Sequence, residues 1–232
     1  IRYFCLSRGL GDVYKRQVPY FPLVGLVIGS LLAAINYSLF YIETPLFLRV
    51  TLLLLAEIII TGGLMYDGFM DTADGVFSAR SRERMLEIMK DSHVGSNAVL
   101  AIIILLLLKI AAYLELSGET LTWVLLTMSV ATRTFMVVFI VNFPYARKEG
   151  IGHMFTKYAK PFYTYIAFAV CAGIIAACGL QYLAVAGICF TVTLIIAQYL
   201  KTQLGGLTGD TYGALTECGN VIYLLTAVFL LR

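Results

Sequence analysis

Residues 97–116 read NAVLAIIILLLLKIAAYLEL, in which Lys109 and Glu115 are the charged side chains. An α-helix rises about 1.5 Å per residue, so a run of this length spans the roughly 30 Å hydrocarbon core of a bilayer. The run therefore predicts a transmembrane helix.

The rest of the chain has the same apolar character. Of its 232 residues, 60% are hydrophobic and 13% are charged, and the mean hydropathy is +0.86. Soluble domains carry about 25% charged residues, so this composition excludes an ordinary soluble globular protein. The sequence predicts an all-α, polytopic membrane helix bundle with about seven transmembrane helices, at residues 22–41, 46–65, 97–116, 121–143, 162–178, 182–200 and 221–231.

The first 17 residues, IRYFCLSRGLGDVYKRQ, differ from the rest of the chain. Residues 7–17 are similar to translated sequencing-adapter sequence, so we interpret 1–17 as a non-native leader and exclude it from functional reasoning. The alternative is a genuine amphipathic leader. Residues 18–232 are then one transmembrane domain, truncated at its N terminus, with 13 basic and 13 acidic residues once the leader's four basic and one acidic residues are subtracted.

A charged segment separates the second and third predicted spans. From residue 80 to residue 91 its apolar side chains Met85, Leu86, Ile88 and Met89 recur at helical intervals. This pattern predicts an amphipathic helix that lies at the membrane surface.

The basic residues favour one orientation in the membrane. If seven spans alternate, one side receives most of the lysine and arginine, which identifies it as the cytoplasmic side of a bacterial inner membrane. The polar, glycine-containing segments lie on that side as well, so we expect a site facing the cytoplasm. The basic residues on this side are Arg80, Arg82, Arg84, Lys90, Arg147, Lys148, Lys157, Lys160 and Lys201, against Arg49, Lys109 and Arg232 on the other.

An acidic cluster stands out in the segment TGGLMYDGFMDTADG at residues 61–75. Asp67, Asp71 and Asp74 are spaced i, i+4 and i+7, which places them on one face of a helix where they repel each other. A divalent cation relieves this repulsion, and Mg²⁺ prefers carboxylates, water and phosphate oxygens as ligands. Gly68 and Gly75 let a phosphate approach the backbone. The alternative is a solvated acidic face neutralised by nearby arginines (Arg80, Arg82 and Arg84).

The segment KDSHVG at 90–95 offers further polar groups. Asp91 is either a further ligand or, like Ser92, a cap for the next helix. His93 is a candidate general base, with a solvated loop histidine as the alternative, and His153 is read in the same way.

Two ionisable residues fall inside predicted spans. Glu57 and Arg133 are each costly in the bilayer unless they face a polar interior. They are either a buried ion pair or, in the functional interpretation, Arg133 binds a substrate phosphate.

Two other segments complete the predicted site. The stretch GGLTGDTYG at 205–213 predicts a turn whose amides face phosphate, with Gly206, Thr208, Gly209 and Asp210 as binding residues. Asp210 is either a metal ligand or a helix cap. Arg147, followed by Lys148, either holds an anionic substrate or anchors the chain at the interface. No Walker motif and no cysteine spacing typical of zinc is present.

Five stretches carry a resemblance to a known family. PYFPLVGLVIG at 19–29, TGGLMYDGFMDTADG at 61–75, MLEIMKDSHVG at 85–95, PYAR at 144–147 and GGLTGDTYGALTE at 205–217 together resemble the cobalamin synthase (adenosylcobinamide-GDP ribazoletransferase) family. The resemblance implies a Mg²⁺-dependent multi-pass membrane enzyme. Such an enzyme displaces GMP from adenosylcobinamide-GDP by a ribose hydroxyl of α-ribazole or its 5′-phosphate, giving adenosylcobalamin or its 5′-phosphate.

The resemblance assigns the aspartates. Asp67, Asp71 and Asp74 match the family's acidic motif, Asp91 its KDS motif and Asp210 its TGD motif. One departure is Met65, where the family usually has histidine. The predicted catalytic residues are Asp67, Asp71, Asp74, Asp91 and His93, the predicted substrate-binding residues are Gly68, Gly75, Arg80, Arg133, Arg147, Gly206, Thr208, Gly209 and Asp210, and the predicted metal ligands are Asp67, Asp71, Asp74 and Asp210.

Other partners and two other functions are considered. We expect contact with membrane lipid and none with nucleic acid, and a homo-oligomer is left open.

DTADG at 71–75 followed by Ala79-Arg80 comes close to the DxxDGxxAR motif of CDP-alcohol phosphotransferases, but with one residue too many. A transporter with Glu57 and Arg133 along its pathway is the alternative from another class.

Overall fold

The computed structural model describes residues 17–116, 118–147, 155–156 and 160–231. In these ranges the regular structure is helical, apart from one isolated parallel bridge between Tyr145 and Leu207. Residues 1–16 of the predicted leader, and also His153, lie outside the described residues.

Nine α-helices follow in the described part of the chain, after a 3₁₀ turn at Val18–Tyr20. They are α1 (Phe21–Tyr41), α2 (Leu46–Thr61), α3 (Leu64–Phe77), α4 (Arg82–Ile88), α5 (Ser96–Glu115), α6 (Gly118–Asn142), α7 (Phe162–Cys178), α8 (Leu180–Leu204) and α9 (Gly209–Leu231).

The predicted membrane bundle is confirmed. Among the described residues, five helices are long and apolar enough to cross a bilayer: α1 with its preceding turn, α5, α6, α8 and α9. The bent pair of α2 and α3 makes a sixth if it is counted as one span, and α7 is a shorter apolar helix of 17 residues. Outward-facing side chains such as Leu100, Ile104 and Leu107 are large, apolar and exposed, as expected for a surface that contacts lipid.

The second predicted span, 46–65, is not one helix. Gly62 and Gly63 adopt left-handed φ angles of 64° and 70°, and α3 departs from α2 at 91°. The amide of Gly63 donates to the carbonyl of Ile58 at 3.0 Å, the hydrogen bond of a glycine helix terminus. Because 14 residues of helix reach only about 21 Å, α3 by itself is too short to span the bilayer.

The last predicted span, 221–231, is part of a longer helix. The helix α9 begins at Gly209, so most of the polar stretch GGLTGDTYGALTE at 205–217 is helical, and the loop before it is short. Thr208 and Thr211 cap this start reciprocally: each backbone amide donates to the other's hydroxyl, at 2.8 and 3.2 Å. Further along α9, the polar side chains of Thr216, Glu217 and Asn220 are buried inside the bundle.

The predicted amphipathic helix is α4, at Arg82–Ile88. Its exposed face carries the ion pair of Arg84 with Glu87 at 2.9 Å, while Met85 and, just beyond the helix, Met89 are buried. Met89 packs where a side chain at Gly75 would lie, so α4 is seated on α3.

Helix α6 forms the centre of the bundle. It is buried along most of its length and packs against α1, α7 and α9. Gly25 and Gly29 of α1 lie directly on the α6 backbone, where a β-carbon would collide with residues 125–130. This close approach fixes how α1 crosses α6.

A buried charge cluster joins α2, α5 and α9. The ammonium of Lys109 contacts Glu57 Oε1 at 2.8 Å and Glu217 Oε2 at 2.7 Å, and it donates to the Tyr66 hydroxyl at 2.8 Å. Glu57 therefore pairs with Lys109 rather than with Arg133, whose guanidinium donates to Thr132 at 3.2 Å. Because Lys109 is fully buried, it does not count among the basic residues on the non-cytoplasmic side when the orientation in the membrane is inferred.

Candidate functional site

Two adjoining cavities lie at the end of the bundle where α1 begins and α2 ends. The larger, which we call the chamber, has a volume of 670 Å³; the smaller, the acidic cleft, has a volume of 260 Å³. Asp67 and Lys90 line both. The chamber is also lined by Phe21, Leu64, Met65, Gly68, Met136, Ile140, Tyr145, Arg147, Phe155, Gly209, Asp210, Tyr212 and Gly213, and the cleft by Met70, Asp71, Asp74, Met89, Asp91, Ser92, His93, Val94 and Ala98.

Close packing of α3 on α9 brings two predicted site residues together. A β-carbon at Gly68 would lie 2.7 Å from the carbonyl oxygen of Asp210, and one at Gly213 would lie 3.1 Å from the carbonyl oxygen of Met65. The absence of side chains lets the helices touch, so the acidic motif meets the TGD motif at the wall of the chamber.

The predicted role of the glycines in phosphate approach therefore needs a correction. The space beside Gly68 is taken by α9, and the space beside Gly75 is taken by Met89, so both glycines serve helix packing. Gly68 still lines the chamber, whereas Gly75 lines neither cavity. Gly209 has open space where a β-carbon would be, and it is the glycine of the TGD segment that faces the chamber.

The PYAR segment at 144–147 and the GGLTGD segment at 205–210 are paired through backbone hydrogen bonds. The amide of Leu207 donates to Pro144, and the amide of Ala146 donates to Leu207, both at 2.8 Å. A β-carbon at Gly206 would lie 2.6 Å from the Pro144 carbonyl oxygen, so this glycine permits the pairing rather than contacting either cavity. The pairing carries Arg147 to the start of α9.

Arg147 and Asp210 form an ion pair at the chamber wall. Their Nη2 and Oδ2 atoms are 2.8 Å apart, but they are off the axis of a hydrogen bond. Among the residues that the structure describes, neither of these atoms nor Nε of Arg147 has a partner with hydrogen-bond geometry, and all three atoms are buried. Buried donors left unsatisfied cost about 1–3 kcal/mol, so an additional hydrogen-bond acceptor beside this guanidinium would lower the free energy of the site.

Asp74 has a role that the sequence analysis missed. Its Oδ2 accepts from the amide of Gly95 at 2.6 Å and its Oδ1 from the amide of Ala98 at 2.8 Å, at the N terminus of α5. The predicted cap by Asp91 or Ser92 is thus replaced by a carboxylate from α3. A side chain at Gly95 would displace this carboxylate, which explains the glycine.

The repulsion within the acidic motif is strongest in its effect on the pKa of Asp71. Partial burial and the negative charges of Asp67, Asp210 and Asp74 raise the pKa of Asp71 to about 6, although Arg147 opposes the shift. A bound cation would relieve this excess of negative charge.

The carboxylates fit a cation that brings other ligands with it. Within the described ranges, no three histidine, cysteine, aspartate or glutamate side chains are already arranged to ligate a metal ion. Mg²⁺ is usually held by one or two carboxylates, with water and substrate phosphates completing its shell. Asp67 and Asp71 line the cleft one helical turn apart, as expected for two carboxylates that bind one Mg²⁺. Asp74 instead accepts hydrogen bonds from two backbone amides, and Asp210 forms an ion pair with Arg147.

His93 lies at the exposed rim of the cleft. Its Nδ1 is 2.6 Å from Oδ1 of Asp91, which also accepts the His93 backbone amide at 3.0 Å. The hydrogen bond to Asp91 raises the pKa of the His93 ring, and the hydrogen bonds from His93 lower the pKa of Asp91. Asp91 therefore orients His93 at the cleft.

Some predicted residues lie elsewhere. Arg80 is exposed and lines neither cavity, and Arg133 is buried within the bundle away from both. Thr208 is fully buried and caps α9.

The structure also adds residues that the sequence analysis did not select. Lys90 was detectable because it precedes Asp91 in the KDS motif, but the apolar wall of the chamber carried no sequence signal. The added chamber residues include Lys90, Phe21, Met136, Ile140, Tyr145 and Tyr212.

Comparison with known proteins decides between the classes left open by the sequence. The family model described as cobalamin-5-phosphate synthase matches residues 8–228. The adenosylcobinamide-GDP ribazoletransferase of Desulforamulus reducens is 42% identical over 203 residues, covering 87% of this chain and 81% of that protein. That of Clostridium novyi is 37% identical over 218 residues, covering 92% and 86%. No solved structure matches. The chain therefore belongs to the cobalamin-5-phosphate synthase family, and it is a transferase of cobalamin synthesis.

Proposed function

We propose that the chain joins adenosylcobinamide-GDP to α-ribazole or its 5′-phosphate and releases GMP, with Mg²⁺ as cofactor. The names of its relatives support this reaction. The single observation that carries it is the pair of cavities that meet at Asp67 and Lys90, because a transfer needs the donor phosphate and the acceptor on either side of shared groups.

The reaction is a displacement at phosphorus. The oxygen of a ribose hydroxyl forms a bond to the phosphorus attached to cobinamide. The bond from that phosphorus to the oxygen bridging the diphosphate breaks, and GMP leaves with this oxygen. The hydroxyl proton passes to a base. No oxidant or reductant is needed.

Asp67 and Asp71 are the residues proposed to hold Mg²⁺, together with water and diphosphate oxygens. The bound cation would neutralise charge on the diphosphate and on the departing GMP. Asp210 acts indirectly in this proposal, since it contacts Arg147.

The remaining groups orient the diphosphate and take the proton. Arg147, whose buried Nε has no hydrogen-bond partner among the described residues, and Lys90, which lines both cavities, are the residues proposed to bind phosphate oxygens. His93, oriented by Asp91, is the proposed proton acceptor, since a histidine titrates near neutral pH.

We further propose that this end of the bundle faces the cytoplasm, in a bacterial inner membrane. Support comes from the basic residues that cluster there, among them Arg82, Arg84, Lys90 and Arg147, whereas Lys109 is buried and does not count.

The experiment is an assay of GMP release by the purified protein in detergent, with adenosylcobinamide-GDP, α-ribazole and Mg²⁺. We expect release that stops with a chelator and falls at least about a hundredfold in Asp67→Asn and Asp71→Asn. Glu87→Gln is the charge-matched control, since Glu87 pairs with Arg84 on the exposed face of α4. Undiminished turnover in both aspartate variants would remove the metal assignment, and no GMP release by the unaltered chain would remove the reaction.

A further inference from the structure

We propose that the chamber encloses the base of the acceptor nucleoside, while the corrinoid part of the donor stays outside the fold. This inference rests on the proposed function and deepens it, because it assigns the larger cavity to one of the two substrates.

The chamber is lined by both charged and apolar side chains. The charged ones are Asp67, Lys90, Arg147 and Asp210, where the reacting phosphate and hydroxyl are expected. The apolar side chains, which we call the apolar wall, include the rings of Phe21 and Phe155, edge to face at a centroid distance of 5.9 Å. The others are Leu64, Met65, Met136 and Ile140, while Tyr145 and Tyr212 add rings that carry a hydroxyl.

This combination of charged and apolar side chains matches the two parts of α-ribazole. Its base, dimethylbenzimidazole, is planar, apolar and free of exocyclic hydrogen-bonding groups, and its ribose is polar. An aromatic ring against Phe21 and Phe155 gains apolar burial and edge-to-face contact, while the ribose hydroxyls extend toward Asp67 and Lys90.

The apolar wall is a poorer match for the guanine of the donor. A guanine edge carries donors and acceptors that need partners once water is removed, and a buried polar group without a partner costs about 1–3 kcal/mol. Phe21, Met136, Ile140 and Phe155 offer no hydrogen-bonding side-chain group, and the uncharged polar groups of the lining side chains are the hydroxyls of Tyr145 and Tyr212.

Size separates the acceptor from the corrinoid. Cavities of about 300–1,000 Å³ hold ligands of drug size, and the chamber has 670 Å³. A nucleoside falls in that class. A corrin macrocycle that carries its amide side chains and an adenosyl ligand is several times larger, so it has to remain outside.

The kinetic test varies both substrates in two variants. Phe155→Ala removes one ring of the apolar wall, and Met136→Trp fills the chamber from α6. For each variant, we expect the KM for α-ribazole to rise about tenfold and the KM for adenosylcobinamide-GDP to stay within about twofold.

Ile104→Trp, on the lipid-facing surface of α5, is the matched control for a bulky insertion. A merely structural defect would lower kcat without separating the two KM values. A selective rise in the KM for adenosylcobinamide-GDP, or no change in either KM, would overturn the proposal.

A binding test does not depend on turnover. The chain has one tryptophan, Trp123, so Trp123→Phe combined with Leu64→Trp, at a lining position that is 65% exposed, leaves a single fluorophore beside the chamber without filling it. We expect dimethylbenzimidazole alone to change its emission saturably and GMP to leave it unchanged. No response to dimethylbenzimidazole overturns the assignment even in an active enzyme, whereas a response in an inactive chain keeps the assignment and removes the proposed reaction.

Discussion

Replacing Asp71 by asparagine is expected to stabilise the folded protein when no divalent cation is present, although Asp71 belongs to the predicted metal site. The pKa of Asp71 rises from 3.8 to about 6, a shift of about two units at about 1.4 kcal/mol each. The side chain is only partly buried, so solvent screening reduces the resulting ~3 kcal/mol to about 1 kcal/mol.

The sign of the pH dependence follows from the direction of the shift. Because the folded state binds the Asp71 proton more tightly than the unfolded state, Asp71 lowers stability as the pH rises from 3.8 to about 6, and the deficit persists above that range. Asp71→Asn therefore gains about 1 kcal/mol at pH 8, or about 2–4 °C in Tm for a chain of this size, and gains nothing below pH 3.8.

The assay is thermal unfolding followed by circular dichroism in detergent, with a chelator present. Glu87→Gln removes one exposed negative charge and is expected to leave Tm unchanged at pH 8. Adding Mg²⁺ should then raise the Tm of the unaltered chain and not that of Asp71→Asn. A variant that is less stable than the unaltered chain at pH 8, or equally stabilised at both pH values, would refute the electrostatic reasoning.

Four other residues give further predictions. Asp74→Asn is expected to destabilise the fold by about 2 kcal/mol in the same melts, because an amide nitrogen then faces one of the two N–H groups that Asp74 now binds. Lys109→Met, which removes the cation paired with the buried Glu57 and Glu217, should cost about 3–5 kcal/mol, measured by unfolding in denaturant. Arg147→Ala should raise the KM for adenosylcobinamide-GDP about tenfold while the KM for α-ribazole stays constant. If His93 accepts the proton, kcat rises with pH through its raised pKa, and Asp91→Asn should move that inflection to lower pH.

The sequence alone was sufficient to predict structural features that depend on residues close together in the chain. Apolar runs located the spans, and the spacing of Asp67, Asp71 and Asp74 predicted the helix that α3 forms. The break at Gly62–Gly63 was missed because the apolar run continues through it, although two consecutive glycines are what such a break requires.

Pairings between distant segments were beyond the sequence. Glu57 has Lys109 as its partner, and not Arg133, because of how α2, α5 and α9 are rotated about their axes. Asp74 reaches Gly95 across a loop, and Arg147 reaches Asp210 through the backbone pairing at Leu207. Each of these contacts depends on how distant segments pack together, which a local pattern does not encode.

The turn at Gly62–Gly63 implies a preference for handedness. Neither glycine has a described atom within 4 Å of where a β-carbon would be, so crowding does not forbid a side chain there. The positive φ angles alone disfavour L-alanine, and the mirror-image residue adopts such angles readily. D-alanine introduced at either position by semisynthesis should keep the 91° bend and also reduce the freedom of the unfolded chain.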